Sequence, residues 1–300
     1  MPQDTPEAAI GAISAERDVL IAGPTASGKS ALAMEIAARQ GGIVVNADAL
    51  QIWSCWRVLT ARPSAADEAA VPHRLYGHVR PQQSYSVGDW LRDVAALKRR
   101  GEGRLIITGG TGLYLSTLTQ GLAYVPPIPQ AIRAEGDALL AESGGLARMV
   151  AGLDPATRAK TDLANPARVQ RAWEVLRATG RGLASWQAET PPPLIEPASA
   201  ERVVLVADRD WLARRIAQRF ALMWDGGAVD EVRAMLPDWR DGAQWTRAIG
   251  APEIASYLRG ESSAEEAREA AIIATRQYAK SQRIWFRGRM KSWKAVNIGT

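Results

Sequence analysis

Residues 19–40, "VLIAGPTASGKSALAMEIAARQ", decide the fold because they join a short apolar run, a glycine-bracketed loop and a helical pattern. The motif G-x-x-x-x-G-K-[ST] lies between the predicted strand and the predicted helix, and is completed by Gly23, Gly28, Lys29 and Ser30. In that context the backbone N–H groups, the helix N-terminus and Lys29 favour a bound phosphate, and Ser30 would reach Mg²⁺. The loop therefore predicts a phosphate cradle, and a nucleotide is only one of the phosphate compounds that it could hold.

Three further apolar runs, at residues 43–45, 105–108 and 203–207, have the character of buried parallel strands. Like residues 19–22, each is followed by polar or glycine residues and then by a helical pattern. This alternation predicts an α/β fold with a doubly wound parallel sheet, whose ligand sites lie beyond the C-terminal ends of the strands. The four loops that follow these strands should therefore converge.

The segment between the third and fourth strands contains helical patterns only, until "ETPPPLIEP" interrupts them. We therefore predict a P-loop α/β core in residues 1–125 and an inserted helical subdomain in residues 126–198. Residues 199–300 should return to the core and end in a basic helical region.

Composition sets limits on the class of protein. The formal net charge of +5 is a weak indication of an anionic partner. The single cysteine, Cys55, excludes an intramolecular disulfide and a cysteine-based zinc site, which fits a reducing cytosol. Neither a signal peptide nor an apolar run of the ~20 residues needed for a membrane span is present. We expect a soluble, cytoplasmic protein without a membrane partner, and a monomer.

An acidic residue stands in an unusual place for a P-loop protein. Nucleotide hydrolases of this class usually have an apolar strand that ends directly in a metal-binding aspartate. Here "RLIITGG" ends in glycines, whereas Asp48 in "GIVVNADALQ" follows its strand by three residues and could face a substrate. A role for Asp48 as a helix N-cap or in an Asx turn stays open.

The loops after the third and fourth strands also carry candidate residues. Gly109, Gly110 and Gly112 allow a ligand or another backbone to approach the main chain closely. Arg215 and Arg219 lie four residues apart on one predicted helix face and could clamp a second phosphate. A solvated basic face is the alternative for either arginine.

The C-terminal region is basic, because residues 270–300 contain no acidic residue. One helical stripe is formed by Arg276, Lys280, Arg283 and Arg287, and the interleaved aromatic residues are Tyr278, Trp285, Phe286 and Trp293. Cations with stacking surfaces suit a folded RNA better than a small metabolite. The predicted insertion has its own basic set in Arg168, Arg171, Arg177 and Arg181. A solvated charged face remains the alternative for both sets.

The chain resembles the tRNA dimethylallyltransferases, also called tRNA isopentenyltransferases, of the bacterial type. The resemblance covers nearly the full length and rests on "GPTASGKS", "NADALQ", "VPHRL", "YSVGDW", "GGTGLYL", "NPARVQRAWEVLRATG", "DRDWLARRI", "RAIG" and "ATRQYAK", in this order. The first segment is shared with other P-loop proteins, and the ordered set is specific. The sequence departs from the family pattern at Trp53, at Ala251 and Pro252, and at Ser281.

The resemblance implies transfer of a dimethylallyl group from dimethylallyl diphosphate to N6 of the adenosine 3′ to a tRNA anticodon. It implies that the diphosphate is held by Gly23, Pro24, Thr25, Ala26, Ser27, Gly28, Lys29 and Ser30, with Arg219 as our choice for a further contact. Ser30 would contact the Mg²⁺ cofactor. Asp48 fits as the general base, since aspartates are ordinarily ionised at neutral pH, and Thr25 and Lys29 complete the implied catalytic set.

The same resemblance implies contacts with the tRNA anticodon stem-loop. Around the target adenosine they involve Asp48, Ala49, Leu50, Gln51 and Thr111. In the insertion they involve Arg133, Arg168, Val169, Gln170, Arg171 and Ala172. In the C-terminal part they involve Arg247, Ala248, Ile249, Gly250, Arg276, Lys280, Arg283 and Arg287.

Two other functions are compatible with the motifs. A P-loop kinase for a small molecule would use the same glycine loop, but lacks here the metal-binding aspartate and has no need of the basic tail. A non-catalytic RNA-binding protein could use a nucleotide as a switch, and would then not require Asp48.

Overall fold

The computed structural model describes residues 10–11 and 13–299. They form two compact units: the first comprises the described residues up to Thr119 together with those from Ile195 onward, and the second comprises Gln120–Leu194. The sequence predicted an insertion at residues 126–198. The second unit ends earlier because the Ile195 N–H donates to the Leu118 carbonyl at 3.0 Å, within the first unit.

The first unit contains a sheet of six parallel strands in the order β3-β2-β4-β1-β5-β6. The strands are β1 (Asp18–Ala22), β2 (Ile43–Asn46), β3 (His73–Arg74), β4 (Leu105–Gly109), β5 (Ala200–Ala207) and β6 (Lys294–Ile298). The four predicted strands are the four central ones. Each is largely apolar and buried, as expected for a sheet covered on both faces. The edge strands escaped prediction because β3 has two residues and β6 alternates exposed and buried positions.

Helices connect these strands. Before β5 they are α1 (Lys29–Gln40), α2 (Ala65–Ala70), α3 (Val87–Arg100) and α4 (Gly112–Gln120). After β5 they are α10 (Arg209–Met223), α11 (Val229–Met235), α12 (Ala251–Leu258) and α13 (Ala264–Arg289), with a π-helical turn at Trp224–Ala228. Ser64, Ser86 and Ser263 start α2, α3 and α13 with capping boxes, each satisfying free backbone N–H groups.

The strand order places the glycine loop at a topological switch point. Strand β1 lies between β4 and β5, and the chain leaves β4 for the second unit before it returns to β5 on the other side of β1. Ligands of open parallel sheets bind beyond the C-terminal strand ends at such a point. The loop after β1 is therefore where the sheet favours a ligand.

The second unit is helical and consists of α5 (Gln130–Ala141), α6 (Gly145–Ala151), α7 (Pro155–Lys160), α8 (Pro166–Thr179) and α9 (Leu183–Ala188). Helix α8 packs against α5, α6 and α9. Three residues of α8 are fully buried, Val169, Ala172 and Val175, and together with Met149 of α6 they form the centre of this unit. No helix in the part of the chain that the structure describes is long and apolar enough to cross a membrane.

Candidate active site

The glycine loop folds back onto the first residue of α1. Gly28 has φ 85°, a left-handed conformation that glycine adopts readily, and lies immediately before α1. Lys29 is only 8% exposed, and its Nζ donates to the Pro24 carbonyl at 3.4 Å. Burial lowers the pKa of Lys29 to about 8, with Asp48 opposing the shift and Arg219 adding to it. The loop thus holds a buried amine that an anionic ligand would help to keep protonated.

Helix α10 holds the loop from one side. Arg219 Nη2 donates to Thr25 Oγ1 at 3.0 Å, and Arg215 Nε donates to the Ala26 carbonyl at 3.1 Å. The two predicted arginines therefore differ: Arg215 holds backbone and lies over the Trp211 ring, whereas Arg219 lines the cleft beside Thr25. Burial lowers the pKa of Arg219, Asp48 opposes this, and Arg215 adds to it. The solvated alternative for Arg219 is not compatible with this placement.

The loop after β2 is held rigidly by a buried asparagine. Asn46 Oδ1 accepts from the Asp48 N–H at 2.8 Å, and Asn46 Nδ2 donates to the carbonyls of Asp48 and Leu75, both at 3.0 Å. Asp48 Oδ1 accepts from the Leu50 N–H at 3.0 Å, so the Asx turn that the sequence left open is present. Asp48 nevertheless lines the cleft as well, so the turn fixes the carboxylate without removing it from the site.

The glycines after β4 make room for other parts of the protein. A Cβ on Gly109 would lie 2.1 Å from the Ala47 carbonyl oxygen, and one on Gly110 would lie 2.2 Å from Gln282 Nε2 and 3.2 Å from Asp48 Oδ2. Thr111 then joins two loops, because its Oγ1 accepts from the Ala49 N–H at 2.9 Å. Of the two possibilities for these glycines, close approach of the protein is the one observed.

A cleft opens where these loops meet. Thr25, Asp48 and Arg219 contribute polar and charged groups to it. The other lining residues are Leu50, Gln51, Leu59, Thr60, Ile216, Phe220, Met223, Ile249, Thr275 and Tyr278. Gln51 Nε2 donates to the carbonyls of Thr60 and Ala61, both at 2.9 Å, which holds one wall in place. Burial, followed by the charge of Asp48, raises the pKa of Tyr278. One cleft is therefore lined both by charged side chains, Asp48 and Arg219, and by apolar side chains such as Leu59 and Phe220.

The predicted basic stripe lies on the outward side of α13. Together with Arg209 of α10 it lines a groove between α10 and α13 that contains Arg276, Lys280, Arg283 and Arg287. The interleaved aromatic residues do not line this groove: Phe286 and Trp293 are buried, and Tyr278 lines the cleft. Stacking of RNA bases on Phe286 and Trp293, suggested by the sequence pattern, is excluded by that burial.

The other predicted tRNA-contacting residues divide by exposure. Arg247 of the first unit is exposed, but Ala248 and Gly250 are buried, and Ile249 lines the cleft. Gly250 packs against Leu59 and Phe220, so it shapes a cleft wall. No surface of Ala248 is accessible, so a contact with tRNA would require a local rearrangement.

The second unit shows the same division. Arg133, Arg168 and Arg171 are exposed, whereas Val169 and Ala172 are fully buried and pack inside the unit. Gln170 Nε2 donates to Asp137 Oδ1 at 2.7 Å and to Glu174 Oε1 at 3.1 Å, so its amide is engaged within the unit. All four arginines of the basic set are near a carboxylate: Arg177 pairs with Glu135 and Arg181 with Glu189, and Arg168 and Arg171 form longer ion pairs with Asp162 and Glu174, at 3.9 and 4.0 Å.

Two buried amides of the site were missed by sequence reasoning. Asn46 is fully buried and accepts a hydrogen bond from the Asp48 N–H. Gln282 is 5% exposed and accepts one from the Thr25 N–H in the glycine loop. The signal for Gln282 was available: it occupies an apolar-face position of α13, between Ala279 and Phe286. A polar residue at such a position requires hydrogen-bond partners.

Comparisons with known proteins identify the family of this chain. The family model described as IPP transferase matches residues 51–289. The chain belongs to the IPP transferase family. A protein of Paracoccus denitrificans (strain Pd 1222) named tRNA dimethylallyltransferase is 65% identical over 287 residues, which cover 94% of this chain and 95% of that protein. One of the same name from Dinoroseobacter shibae (strain DSM 16493 / NCIMB 14021 / DFL 12) is 59% identical over 294 residues, covering 97% and 98%.

Solved structures of the family have the same fold. The tRNA isopentenylpyrophosphate transferase of Bacillus halodurans aligns with a TM-score of 0.65 and 29% identity, covering 94% of this chain and 90% of that one. A eukaryotic dimethylallyltransferase, described as acting on tRNA, aligns with a TM-score of 0.77 over 94% of this chain and 74% of that one. At 22% identity the second likeness concerns the fold alone.

Proposed function

We propose that this member of the IPP transferase family is an enzyme that prenylates tRNA. It transfers a dimethylallyl group from dimethylallyl diphosphate to N6 of the adenosine 3′-adjacent to the anticodon, and releases pyrophosphate. The observation that carries the proposal is the shared cleft of Asp48, Thr25 and Arg219, in which a carboxylate faces an anion-binding loop between apolar walls. The names of the relatives reported above support the same activity.

The residues of the glycine loop form a P-loop that binds the diphosphate in this proposal. Backbone N–H groups at the N-terminus of α1 favour the anion, and Lys29 adds a full charge. Arg219 is the further diphosphate contact, since its guanidinium already touches Thr25 and lines the cleft. Negative charge that develops on the leaving pyrophosphate would therefore meet preorganised donors.

The proposed cofactor is Mg²⁺, with Ser30 as its protein contact. Mg²⁺ typically takes one or two protein oxygens together with substrate phosphates and water. The Ser30 hydroxyl fits such a role because it is exposed at the second position of α1, directly beside the loop. When bound, the ion supplies charge neutralisation at the diphosphate.

The chemical step breaks one bond and forms another. The C–O bond between the allylic carbon and the diphosphate breaks, its electron pair leaves with pyrophosphate, and the N6 lone pair of adenine forms the new C–N bond. Asp48 accepts the proton that N6 loses, and its position is fixed by Asn46 and by the Asx turn. The five-carbon chain needs only an apolar slot, which Leu59, Phe220 and Met223 provide in the cleft wall.

Exposed arginines are proposed to bind the anticodon stem-loop. In the first unit these are Arg247 and the cations of the α13 groove, and in the second unit Arg133, Arg168 and Arg171. The target adenine must leave its stack to reach the cleft, and the proposal assigns its binding to residues 48–51 and Thr111. Asp48, Leu50 and Gln51 line the cleft, and Thr111 is hydrogen-bonded to Ala49, which supports this assignment.

Prenyl transfer to an unmodified tRNA tests the proposal. The protein is incubated with Mg²⁺, dimethylallyl diphosphate and a tRNA with adenosine 3′ to its anticodon, and the nucleoside is analysed by mass spectrometry. A matched tRNA with guanosine at that position is the control. Formation of N6-dimethylallyladenosine is expected. Absence of that product, or formation of a phosphorylated product in a parallel reaction with ATP in place of dimethylallyl diphosphate, would contradict the proposal.

A further inference from the structure

We propose that Gln282 is a positioning residue that sets the geometry of the glycine loop for diphosphate binding. The inference rests on the proposed function and adds a residue that the motifs did not single out. Gln282 lies on the inward face of α13, and is 5% exposed.

The side-chain amide of Gln282 joins two loops of the site. Its Oε1 accepts from the Thr25 N–H at 2.9 Å, and its Nε2 donates to the Gly110 carbonyl at 2.9 Å. The orientation of the amide is unambiguous, because a backbone N–H can only donate and a carbonyl can only accept. Gln282 therefore fixes the separation between the loop after β1 and the loop after β4.

The surroundings leave Gln282 no freedom to contact substrate. Both ends of its amide are bonded to backbone, and a Cβ on Gly110 would lie 2.2 Å from Nε2. Thr25 is the residue that also accepts from Arg219, so its backbone is held by α13 and its side chain by α10. Gln282 therefore acts through Thr25, which is the one of these two residues that would contact the diphosphate.

The isosteric variant Gln282→Met removes both hydrogen bonds and keeps the volume. Because two buried backbone groups lose their partners, kcat/KM for dimethylallyl diphosphate should fall about 10- to 100-fold. The affinity for tRNA should stay within about twofold of the parent value, since the basic groove is on the other side of α13. Ser281→Ala is the matched control, because Ser281 is exposed on the adjacent position.

The variant Gln282→Glu distinguishes positioning from simple filling of space. A protonated glutamate can accept from Thr25 and donate to Gly110, whereas an ionised one can only accept and places negative charge beside Asp48. The ratio of its activity to that of the parent protein should therefore rise at least about tenfold from pH 9 to pH 6. This readout remains available if Gln282→Met does not fold.

Calorimetric binding of inorganic pyrophosphate separates this inference from the proposed function. Weaker binding by Gln282→Met than by Ser281→Ala supports the positioning role even if no prenyl transfer occurs. An unchanged pyrophosphate affinity in a folded Gln282→Met protein, or a pH-independent ratio for Gln282→Glu, would overturn it. Failure of the parent protein to prenylate tRNA would overturn only the proposed function.

Discussion

The two faces of α13 differ in how they would hold a substrate. On the inward face Gln282 is buried and bonded to specific backbone atoms, and Tyr278 lines the cleft. On the outward face Arg276, Lys280 and Arg287 are exposed cations along a groove. Directional hydrogen bonds fix atoms to within fractions of an ångström, whereas exposed charges attract a polyanion over a distance that salt limits. Changes on the inward side should alter chemistry, and changes on the outward side should alter tRNA affinity.

The largest expected effect comes from removing the carboxylate of Asp48, which lines the cleft together with Thr275 and Tyr278 of α13. Asp48→Ala should lower the turnover number at least about 100-fold, because a positioned general base is lost. The tRNA dissociation constant should remain within about threefold, since Asp48 is one residue of a wide interface. Single-turnover transfer and filter binding measure the two quantities. Asp230→Ala, at an exposed acid on α11, is the control. Turnover that survives Asp48→Ala would favour a non-catalytic role for this cleft.

The outward side should respond in the opposite way. Replacing Arg283 and Arg287 together by Gln should weaken tRNA binding by about tenfold and reduce the slope of log affinity against log salt by about 1.5 to 2. The turnover number at saturating tRNA should hardly change. Arg233→Gln is the matched control, because that exposed arginine is already paired with Asp230. An unaltered salt slope would identify the stripe as an ordinary solvated face.

The pH dependence sharpens the contrast further, because the glycine loop that contacts the inward face of α13 is followed by a buried amine, Lys29. Burial lowers the pKa of Lys29 to about 8, so the amine loses its charge as the pH rises through that value. The kcat/KM for dimethylallyl diphosphate should therefore fall about tenfold per pH unit above 8. At saturating donor, kcat should stay flat over the same range, since the bound diphosphate raises the pKa of Lys29. A flat kcat/KM from pH 7 to 9.5 would contradict the assigned role of Lys29.

The segment "RAIG" contains an exposed arginine, Arg247, and a buried glycine, Gly250, within four positions. Gly250 has φ 96°, and a Cβ there would lie 2.9 Å from Leu59 Cδ1 and 3.0 Å from Phe220 Cε2. Gly250→Ala should lower the free energy of unfolding by about 1 to 3 kcal/mol. Arg247→Ala should leave it within about 0.5 kcal/mol and weaken tRNA binding a few-fold. Urea titration and filter binding distinguish the two, and equal stabilities would show that Gly250 has no packing role.

The cleft and the elements around it were only partly predictable from the sequence. The glycine loop, the four central strands and Asp48 follow from local patterns of a few consecutive residues, which are visible in one chain. Gln282 and Thr25 are 257 positions apart, and no local pattern states which buried amide meets which loop. The burial of Ala248, Val169 and Ala172 was not predictable for the same reason, because a motif transfers residue positions without stating which side chains face solvent.

The central claim is that the glycine loop and Asp48 serve one prenyl transfer, and a single competition experiment tests it most directly. Formation of N6-dimethylallyladenosine in tRNA is followed while inorganic pyrophosphate or ATP is added as an inhibitor at equal concentrations. Pyrophosphate should compete with dimethylallyl diphosphate, and Asp48→Ala should still bind pyrophosphate with parent-like affinity while forming product at least about 100-fold more slowly. Product formation that does not respond to pyrophosphate, or that Asp48→Ala leaves unchanged, would contradict the account.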